Sequence, residues 1–497
     1  MSATKKTITD NATAYDENLE TWTRNRAVRS GAKAVKAGGE TYLPRTSEKQ
    51  KDQAYLKYKA RAYFYPATGR TVDAYTGLIF RKPPQVELPS AVAGYADDID
   101  LQGNTLLGFA EKATDDVVVV ARGGILVEMP VRPEGELTKA QAESANLRPY
   151  LTFYPAESIR DWRTGRVGGK TALSFVKLFE RVAVETENIF QEAFIDQYRV
   201  LRINELGQYE VIVYREAVAA DSNGIAEWVE TSRSTPLKAG KEFSEIPFVF
   251  LGSRSASSDV QESLINDIVD VNLSHFINSA DYENALHWTG SPTPVFSGQF
   301  AAAEDGSQPT EIIIGSSSGI HFQDADGKAE YLEFKGDGLE GGLGKAMDRK
   351  EKHMALLGSR VLMDERKLAE AAETARTHRA GEASVLASLA NAVSDGFKRA
   401  LKILTEWAGA DSSSVVFKLN TDFVPEGMSA QDIQALMLAW QGGAISKQTL
   451  FENLQAGEII RPGKTFEEEQ AEIDEEPPDI PAPAPVPPDP DEEASPA

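Results

Sequence analysis

The sequence predicts an α+β fold, and three stretches carry that prediction. From Tyr150 to Phe250 the residues alternate, or bring β-branched and aromatic side chains together between turn signals, which describes a β meander. From Ala372 to Trp407 apolar residues recur every three to four positions, the mark of a long helix with one buried face. Between them, from Ser258 to Gly358, the pattern reads helix, break, short β pieces, break, helix. A helix that leaves a body, carries a small β tip and returns as a helix is a stalk, which few small-molecule enzymes need.

In chain order, residues 1–40 are polar, with a helix expected around Asp16–Arg29 and a stop at Gly38-Gly39. Lys49–Tyr65 reads as a helix with Tyr55, Tyr58, Ala62 and Tyr65 on adjoining faces. The run from Arg70 to Lys82 is also helical until Pro83-Pro84 stop it. A short extended piece follows at Val86–Leu88, then a helix from Leu106 capped at Asn104-Thr105, then a strand Gly123–Met129 closed by Pro130. The meander has about six expected strands: Tyr150–Tyr154, Ile159–Arg163, Ala172–Phe179, Phe194–Asn204, Gln208–Arg215 and Ala226–Glu230. Gly168-Gly169 and Leu206-Gly207 supply its hairpin turns. It ends at Ile246–Phe250, which is expected to lead directly into the stalk.

The first stalk helix is expected over Asp259–Trp288, about eight turns, with Leu264, Ile268, Val271, Phe276, Ala280 and Leu286 inward. Pro292 and Pro294 end it. The β-like pieces Pro294–Phe296, Glu311–Ile314, Ile320–Phe322 and Tyr331–Phe334 form the tip, and Leu343–Leu357 is the returning helix. Gly358–Ala371 reads as a loop. In the long helix, Val385/Leu386, Leu389, Val393, Phe397, Leu401, Leu404 and Trp407 mark the buried face. A strand at Ser414–Asn420 and a helix pair, Ser429–Gln441 and Ser446–Leu454, complete the folded part. The last 32 residues hold nine prolines and twelve acids, so disorder is expected there.

The 497 residues allow two to four domains with ample core. No apolar run reaches the ~18 residues of a membrane span, and the Lys5-Lys6 start does not read as a signal peptide. The absence of cysteine excludes disulfides and thiolate metal sites. A net charge of −24 argues against a general nucleic-acid binder. The charge is uneven: the Phe466–Ala497 tail has no Lys or Arg, whereas the first 61 residues carry thirteen basic against seven acidic side chains. A negative body can still handle DNA that must slide, with a few basic residues positioning the backbone.

No catalytic constellation emerges. Gly315-Ser316-Ser317-Ser318-Gly319 matches the nucleophile-elbow pattern, but β-like residues flank it on both sides where a strand-to-helix turn is required. A hairpin or loop is therefore the better reading, and Ser317 is only a weak candidate for a hydrolase nucleophile. Gly341-Gly342-Leu343-Gly344-Lys345 departs from a phosphate loop at Leu339 and Ala346 and reads as a flexible joint before a helix. The five histidines, His275, His287, His321, His353 and His378, have no metal-ligand spacing and read as satisfied or exposed. Asp97-Asp98 and Asp115-Asp116 read as solvated or capping groups.

An ordered set of short motifs remains. It comprises Tyr42-Leu43-Pro44, the Arg61–Tyr65 patch, Arg70–Pro84, Ile246-Pro247-Phe248, Met354–Arg360, Glu373-Thr374-Ala375-Arg376 and Asn420-Thr421-Asp422-Phe423. In order and spacing, over roughly residues 40–460, the chain resembles the portal proteins of tailed double-stranded DNA phages, the head–tail connectors. Within them it looks similar to a subfamily defined by an uncharacterised domain.

That resemblance implies a portal fold. Residues 1–257 would be the wing, 258–290 and 336–357 the stem helices, and 291–335 the clip. Residues 358–371 would be the channel loop, 372–423 the long wing helix and its strand, 424–465 the crown, and 466–497 a disordered tail. It implies a dodecameric ring at one capsid vertex of the virion, assembled in the host cytoplasm. The ring would be the conduit for packaging and ejecting double-stranded DNA. Its implied partners are the terminase large subunit, a head–tail adaptor, the major capsid protein and a scaffold; no membrane, cofactor or metal is implied, and no enzymatic activity. On the second stem helix Lys345, Arg349 and Lys352 fall near one face, with Lys350 beside them. These four, with Arg360, Asp364, Glu365 and Arg366 of the implied channel loop, are the candidate DNA-channel residues. A solvated or subunit-pairing face shared with Asp348 and Glu351 is the alternative. The rival readings are a serine hydrolase using Ser317, or another virion structural protein.

Overall fold

Tyr15, Trp22, Asn25 and Val28 fall on one face of the helix α1 (Thr13–Ser30), and that face is buried against the rest of the body. The computed structural model describes residues 7–475, apart from 131–145, 168, 185, 187, 189, 218–226, 239–240, 291–292, 299–321, 325, 333–338, 359–371, 424–429, 458 and 462–463. The body, residues 1–423, and a small C-terminal unit, 424–497, are separate compact units.

In the body, α1 is followed by the short helix α2 (Ala32–Ala37), then α3 (Asp52–Arg61) and α4 (Ala67–Ile79). A short strand β1 (Gln85–Glu87) comes next. Helix α5 (Leu106–Val120) starts where expected, because the Thr105 hydroxyl accepts a hydrogen bond from Gly108 N at 3.2 Å. It ends at Ala121, which sits in the left-handed region at φ 55° and turns the chain straight into β2 (Arg122–Glu128).

Tyr150–Pro155 forms β3, but β3 is not part of the meander. It pairs antiparallel with β2, and β2 pairs with β11 (Phe248–Gly252), giving a separate three-stranded sheet in the order β11-β2-β3. The expected six-strand meander is therefore five. Pro155 and the 3-10 turn Ala156–Ser158 stop β3 and start a new sheet with β4 (Ile159–Val167). β5 (Lys170–Val184), β6 (Ala193–Ile203), β7 (Tyr209–Glu216) and β8 (Trp228–Ser234) follow antiparallel in chain order. Gly207, at φ 79°, provides the left-handed residue of the β6–β7 turn. A minor pair, β9 (Leu237–Lys238) and β10 (Lys241–Glu242), follows. A buried charged cluster ties the two sheets together. Glu128 on β2 binds Arg199 on β6 at 2.5 Å, Arg199 binds Glu180 on β5 at 2.9 Å, and Tyr150 donates to Glu128 at 2.7 Å.

The stalk follows as α6 (Asn266–Thr289), the antiparallel pair β12 (Thr293–Ser297) and β13 (Lys328–Leu332), a π-helical turn at Leu339–Gly344, and α7 (Lys345–Gly358). Its first helix was expected from Asp259, yet it begins seven residues later. Side-chain bonds hold residues 254–263 in an irregular path. The Gln261 amide oxygen accepts from Arg254 N at 2.6 Å, and Arg122 donates to the Ser258 carbonyl at 2.8 Å. The Ser263 hydroxyl donates to Val118 O at 3.0 Å. These bonds satisfy the backbone and side-chain groups that an extra helical turn would otherwise use. Arg122 lies between the rings of Trp162 and Phe250, 4.1 Å from each, and burial pulls its guanidinium down to about 9.

Helix α8 (Ala372–Trp407) has the expected bounds. Leu389, Val393, Phe397, Leu401 and Leu404 are nearly inaccessible to water, and Phe397 stacks on Phe417 at 4.9 Å. Gly396 marks the closest approach to the sheet: a Cβ there would meet Leu251 at 2.3 Å. Val385, expected inward, is half exposed, so the buried stripe runs through Leu386 instead. The strand β14 (Val416–Lys418) pairs with β1.

The C-terminal unit contains α9 (Ala430–Gln441), α10 (Lys447–Ala456) and α11 (Phe466–Glu475). Ser446 caps α10, accepting from Thr449 N. Ser429 lies outside the described residues. Helix α11 corrects the expectation of disorder from residue 466. A capping box forms its start, with Glu468 accepting from Thr465 N at 3.0 Å and Thr465 accepting from Glu468 N at 3.2 Å. Phe466 also packs on Phe451, ring centroids 5.6 Å apart. Residues 476–497 lie outside the described part.

Candidate functional site

The stalk is built from two antiparallel helices whose contacts mix apolar and polar groups. The Lys350 ammonium donates to the Ser274 carbonyl at 2.9 Å and its hydroxyl at 2.7 Å. One residue along, His275 Nε2 lies 3.1 Å from Glu351 Oε1. At the far end of α7, Gly358 packs so tightly that a Cβ would sit 2.2 Å from the Thr71 hydroxyl and 2.9 Å from Ile268. The pairing of 350 with 274 and of 358 with 268 fixes the antiparallel sense.

α6 is also held to the body by polar side chains. Asn272 donates to Tyr65 O at 2.8 Å and accepts from the Thr68 hydroxyl at 2.9 Å. Ser279 accepts from Tyr63 N at 2.8 Å, Asp281 accepts from the Tyr58 hydroxyl at 2.7 Å, and Arg61 reaches Asn284 at 3.4 Å. Asn272, His275 and Ser279 are fully buried. Apolar periodicity alone did not mark them. The readable signal was their own spacing of three and four residues, which puts them on one face.

His275 packs against Tyr65, with ring centroids 5.6 Å apart. Burial lowers its pKa below the usual histidine value, partly opposed by Glu351. Its Nδ1 has no hydrogen-bond partner among the described residues. His287 and His353 are exposed, while His321 and the His378 side chain lie outside the described residues.

The candidate DNA-contacting residues separate into three groups. Lys345, Arg349 and Lys352 are exposed on the outer face of α7, with Asp348 and His353 among them. Among the described residues these three basic side chains form no ion pair. Lys350 turns the other way, onto α6, where burial lowers its pKa. It therefore leaves the basic row and acts as a strut within the stalk. Arg360, Asp364, Glu365 and Arg366 lie outside the described residues, as does Ser317.

The Gly341–Lys345 stretch, expected as a flexible joint, continues the helix as the π turn. The two aspartate pairs are more engaged than expected. Asp116 binds Arg26 at 2.5 Å, Arg26 also binds Glu157, and burial raises the Asp116 pKa against the pull of Arg26. Asp115 binds Arg29 at 3.1 Å, and Asp98 binds Arg148 at 3.2 Å. Asp116 is thus part of a core ion pair and not a solvated cap. Among the described residues no cluster of ligating side chains could hold a metal ion, and no helix is long and apolar enough to cross a membrane.

A family described as a domain of unknown function (DUF4055) matches residues 265–408, which run from the start of α6 to the end of α8. No curated protein matches the chain. Among solved structures the chain is similar to a chain in the virion of a native gene transfer agent particle, at 12% identity and a TM-score of 0.37, covering 84% of this chain and 96% of that one. It is also similar to a chain in the neck of an empty particle of this kind, solved with C6 symmetry, at 11% identity and a TM-score of 0.38, covering 86% and 98%. A chain in the neck of the native particle, solved with C12 symmetry, matches at 11% identity and 0.36, covering 78% and 89%. None of these matches names a catalytic family.

Proposed function

We propose that this chain is a phage portal subunit. Copies of it close into a ring at one capsid vertex and form the conduit through which double-stranded DNA is packaged and ejected. The single observation that supports this best is the stalk. Two antiparallel helices carry a two-stranded β tip away from the body, and the α7 helix presents an exposed basic face. In a ring, Lys345, Arg349 and Lys352 would repeat as collars of positive charge near the passing phosphates. A handful of such contacts on an otherwise acidic protein suits a polymer that must slide.

The tip would be the docking site for the terminase large subunit during packaging and for the head–tail adaptor afterwards. The major capsid protein and scaffold would surround the ring. The chain itself would hydrolyse nothing. A ring of this kind needs a head-to-tail interface between two different patches of the same chain.

The test is electron microscopy of the purified protein, with class averages viewed down the symmetry axis. A ring of about a dozen subunits with an open channel supports the reading. A monomer or a closed dimer, with and without scaffold, overturns it. Arg349→Glu then asks what the basic face does: DNA packaging should fall while rings still form. Loss of rings in that variant would instead assign the face to subunit pairing.

A further inference from the structure

The β5–β6 hairpin is longer than the sheet that supports it. β4 pairs with β5 only as far as Leu178, and β7 pairs with β6 only from Gln197. Beyond those points four β5–β6 pairs remain, from Arg181↔Asp196 to Val184↔Ala193, with no further strand on either side among the described residues. This two-stranded arm projects about 13 Å at ~3.3 Å per residue, before its turn is counted. An isolated two-stranded ribbon is marginal in water unless something packs on it.

The arm ends in apolar surface. Phe190 is 91% exposed and Phe194 is 47% exposed. The described residues around Phe190 bond locally: the Thr186 hydroxyl donates to the carbonyls of Asn188 and Gln191, and Asn188 Oδ1 accepts from Phe190 N at 3.0 Å. The connection between Val184 and Ala193 contains three glutamates and no basic residue. A partner for this arm should be apolar and basic.

The same chain carries such a surface elsewhere. On α3, Leu56 is 55% exposed beside the exposed Lys57. Residues 49–61 hold four lysines and one arginine against one acid, Asp52, which is already bound by Arg45. Tyr58 and Arg61 tie α3 to α6 at Asp281 and Asn284, and the next turn of α6 exposes Leu286 and Trp288. Two complementary patches on one chain are what a head-to-tail interface requires.

We propose that the Phe190 arm of one protomer docks on the Leu56–Trp288 patch of a neighbouring copy, with Glu192 facing Lys57. This rests on the ring reading and assigns that ring one of its subunit contacts.

The cysteine-free sequence makes the test direct. Protomers carrying only Phe190→Cys are mixed with protomers carrying only Leu56→Cys, assembled and mildly oxidised. A control pairs Phe190→Cys with Leu206→Cys, an exposed turn residue outside the patch. The expected result is a 190–56 cross-linked dimer in about tenfold excess over the control. Phe190→Ala should weaken subunit association at least about tenfold, as loss of an aromatic anchor does. Glu192→Lys should also weaken it, with recovery when Lys57→Glu is added. Rings that form normally while the 190–56 yield only equals the control would overturn the arm contact and leave the ring reading standing. Wild-type protein that forms no rings, together with cysteine variants whose 190–56 yield does not exceed the control, would overturn both.

Discussion

Helices α6 and α8 both pack on the body, and the balance of chemistry that holds them differs. α8 is buried along an apolar stripe through Leu389, Val393, Phe397 and Leu401, against β11, β2 and β14. α6 buries Ile268, Val269, Phe276 and Ala280, but Asn272, His275 and Ser279 lie fully inside beside them. An apolar stripe is non-directional: it gives stability without requiring particular partner atoms. A buried row of hydrogen bonds stabilises less per contact but is satisfied in only one register. The long helix is therefore the anchor of the body, and the stalk helix is the part whose rotation and height are fixed by bonds. That division suits a chain in which the aim of the stalk matters to function.

The comparison is most severely broken by removing the anchor. Phe397→Ala deletes a ring that stacks on Phe417 and packs edge-on against Phe109. A loss of about 3–5 kcal/mol is expected, the usual cost of truncating a buried Phe. Urea unfolding followed by tryptophan fluorescence measures it, and a loss under about 1 kcal/mol would mean the stripe is not the anchor. The second perturbation strikes the bonded row. Asn272→Leu keeps volume but removes one of the two donors to the Tyr65 carbonyl, which keeps Ala67 N, and takes the acceptor from the Thr68 hydroxyl and N–H. A cost of about 1–3 kcal/mol is expected, with faster amide exchange concentrated in residues 63–72 and 268–280. Uniformly faster exchange through the body would contradict a local docking role.

The same contrast explains what could be read from the sequence. The bounds of α8 were legible because a run of apolar residues at helical spacing continues to Trp407 without a break. The start of α6 was not, because Val260 and Leu264 continue the apolar rhythm while Gln261, Ser263 and the distant Arg122 hold that segment out of a helix. A partner 136 residues away leaves no local trace. The transfer of β3 to a second sheet was hidden for a similar reason: alternation identifies a strand, not its neighbour. The Thr465–Glu468 capping box was not read from the sequence, because the expectation for this stretch rested on the proline and acid content of the whole tail. For the candidate site, the basic row on α7 was legible as spacing. The inward turn of Lys350 was not, since only the position of Ser274 on the partner helix determines it.

A milder test sharpens the comparison through pH. Burial keeps the folded-state pKa of His275 below its ordinary value of 6.5. The unfolded chain therefore binds this proton more readily, so the stability linked to His275 is intact above about pH 6.5 and is lost as pH falls towards the folded value. His275→Gln should reduce the drop in melting temperature between about pH 7.5 and pH 5.5, because it removes one proton-binding group. The comparison is between the two slopes, since carboxylates elsewhere contribute to both. Parallel slopes in wild type and variant would mean that His275 is not the group responsible. No equivalent titration exists along the described α8 stripe from Leu386 to Leu404, so acidification should loosen α6 before α8.

The smallest expected effect marks where the α8 stripe ends. Val385 shares the apolar rhythm with Leu386, yet Val385 is half exposed and Leu386 is 2% exposed. Val385→Ala should change stability by no more than about 0.5 kcal/mol, as substitutions at exposed positions do. Leu386→Ala, one residue on, should cost about 2–5 kcal/mol. Rhythm treats the two positions as equivalent, and only the direction of the side chain separates them. If Val385→Ala in the assembled protein costs as much as Leu386→Ala, a neighbouring subunit covers that face. The exposed side of α8 would then belong to an interface between copies of the chain and not to solvent.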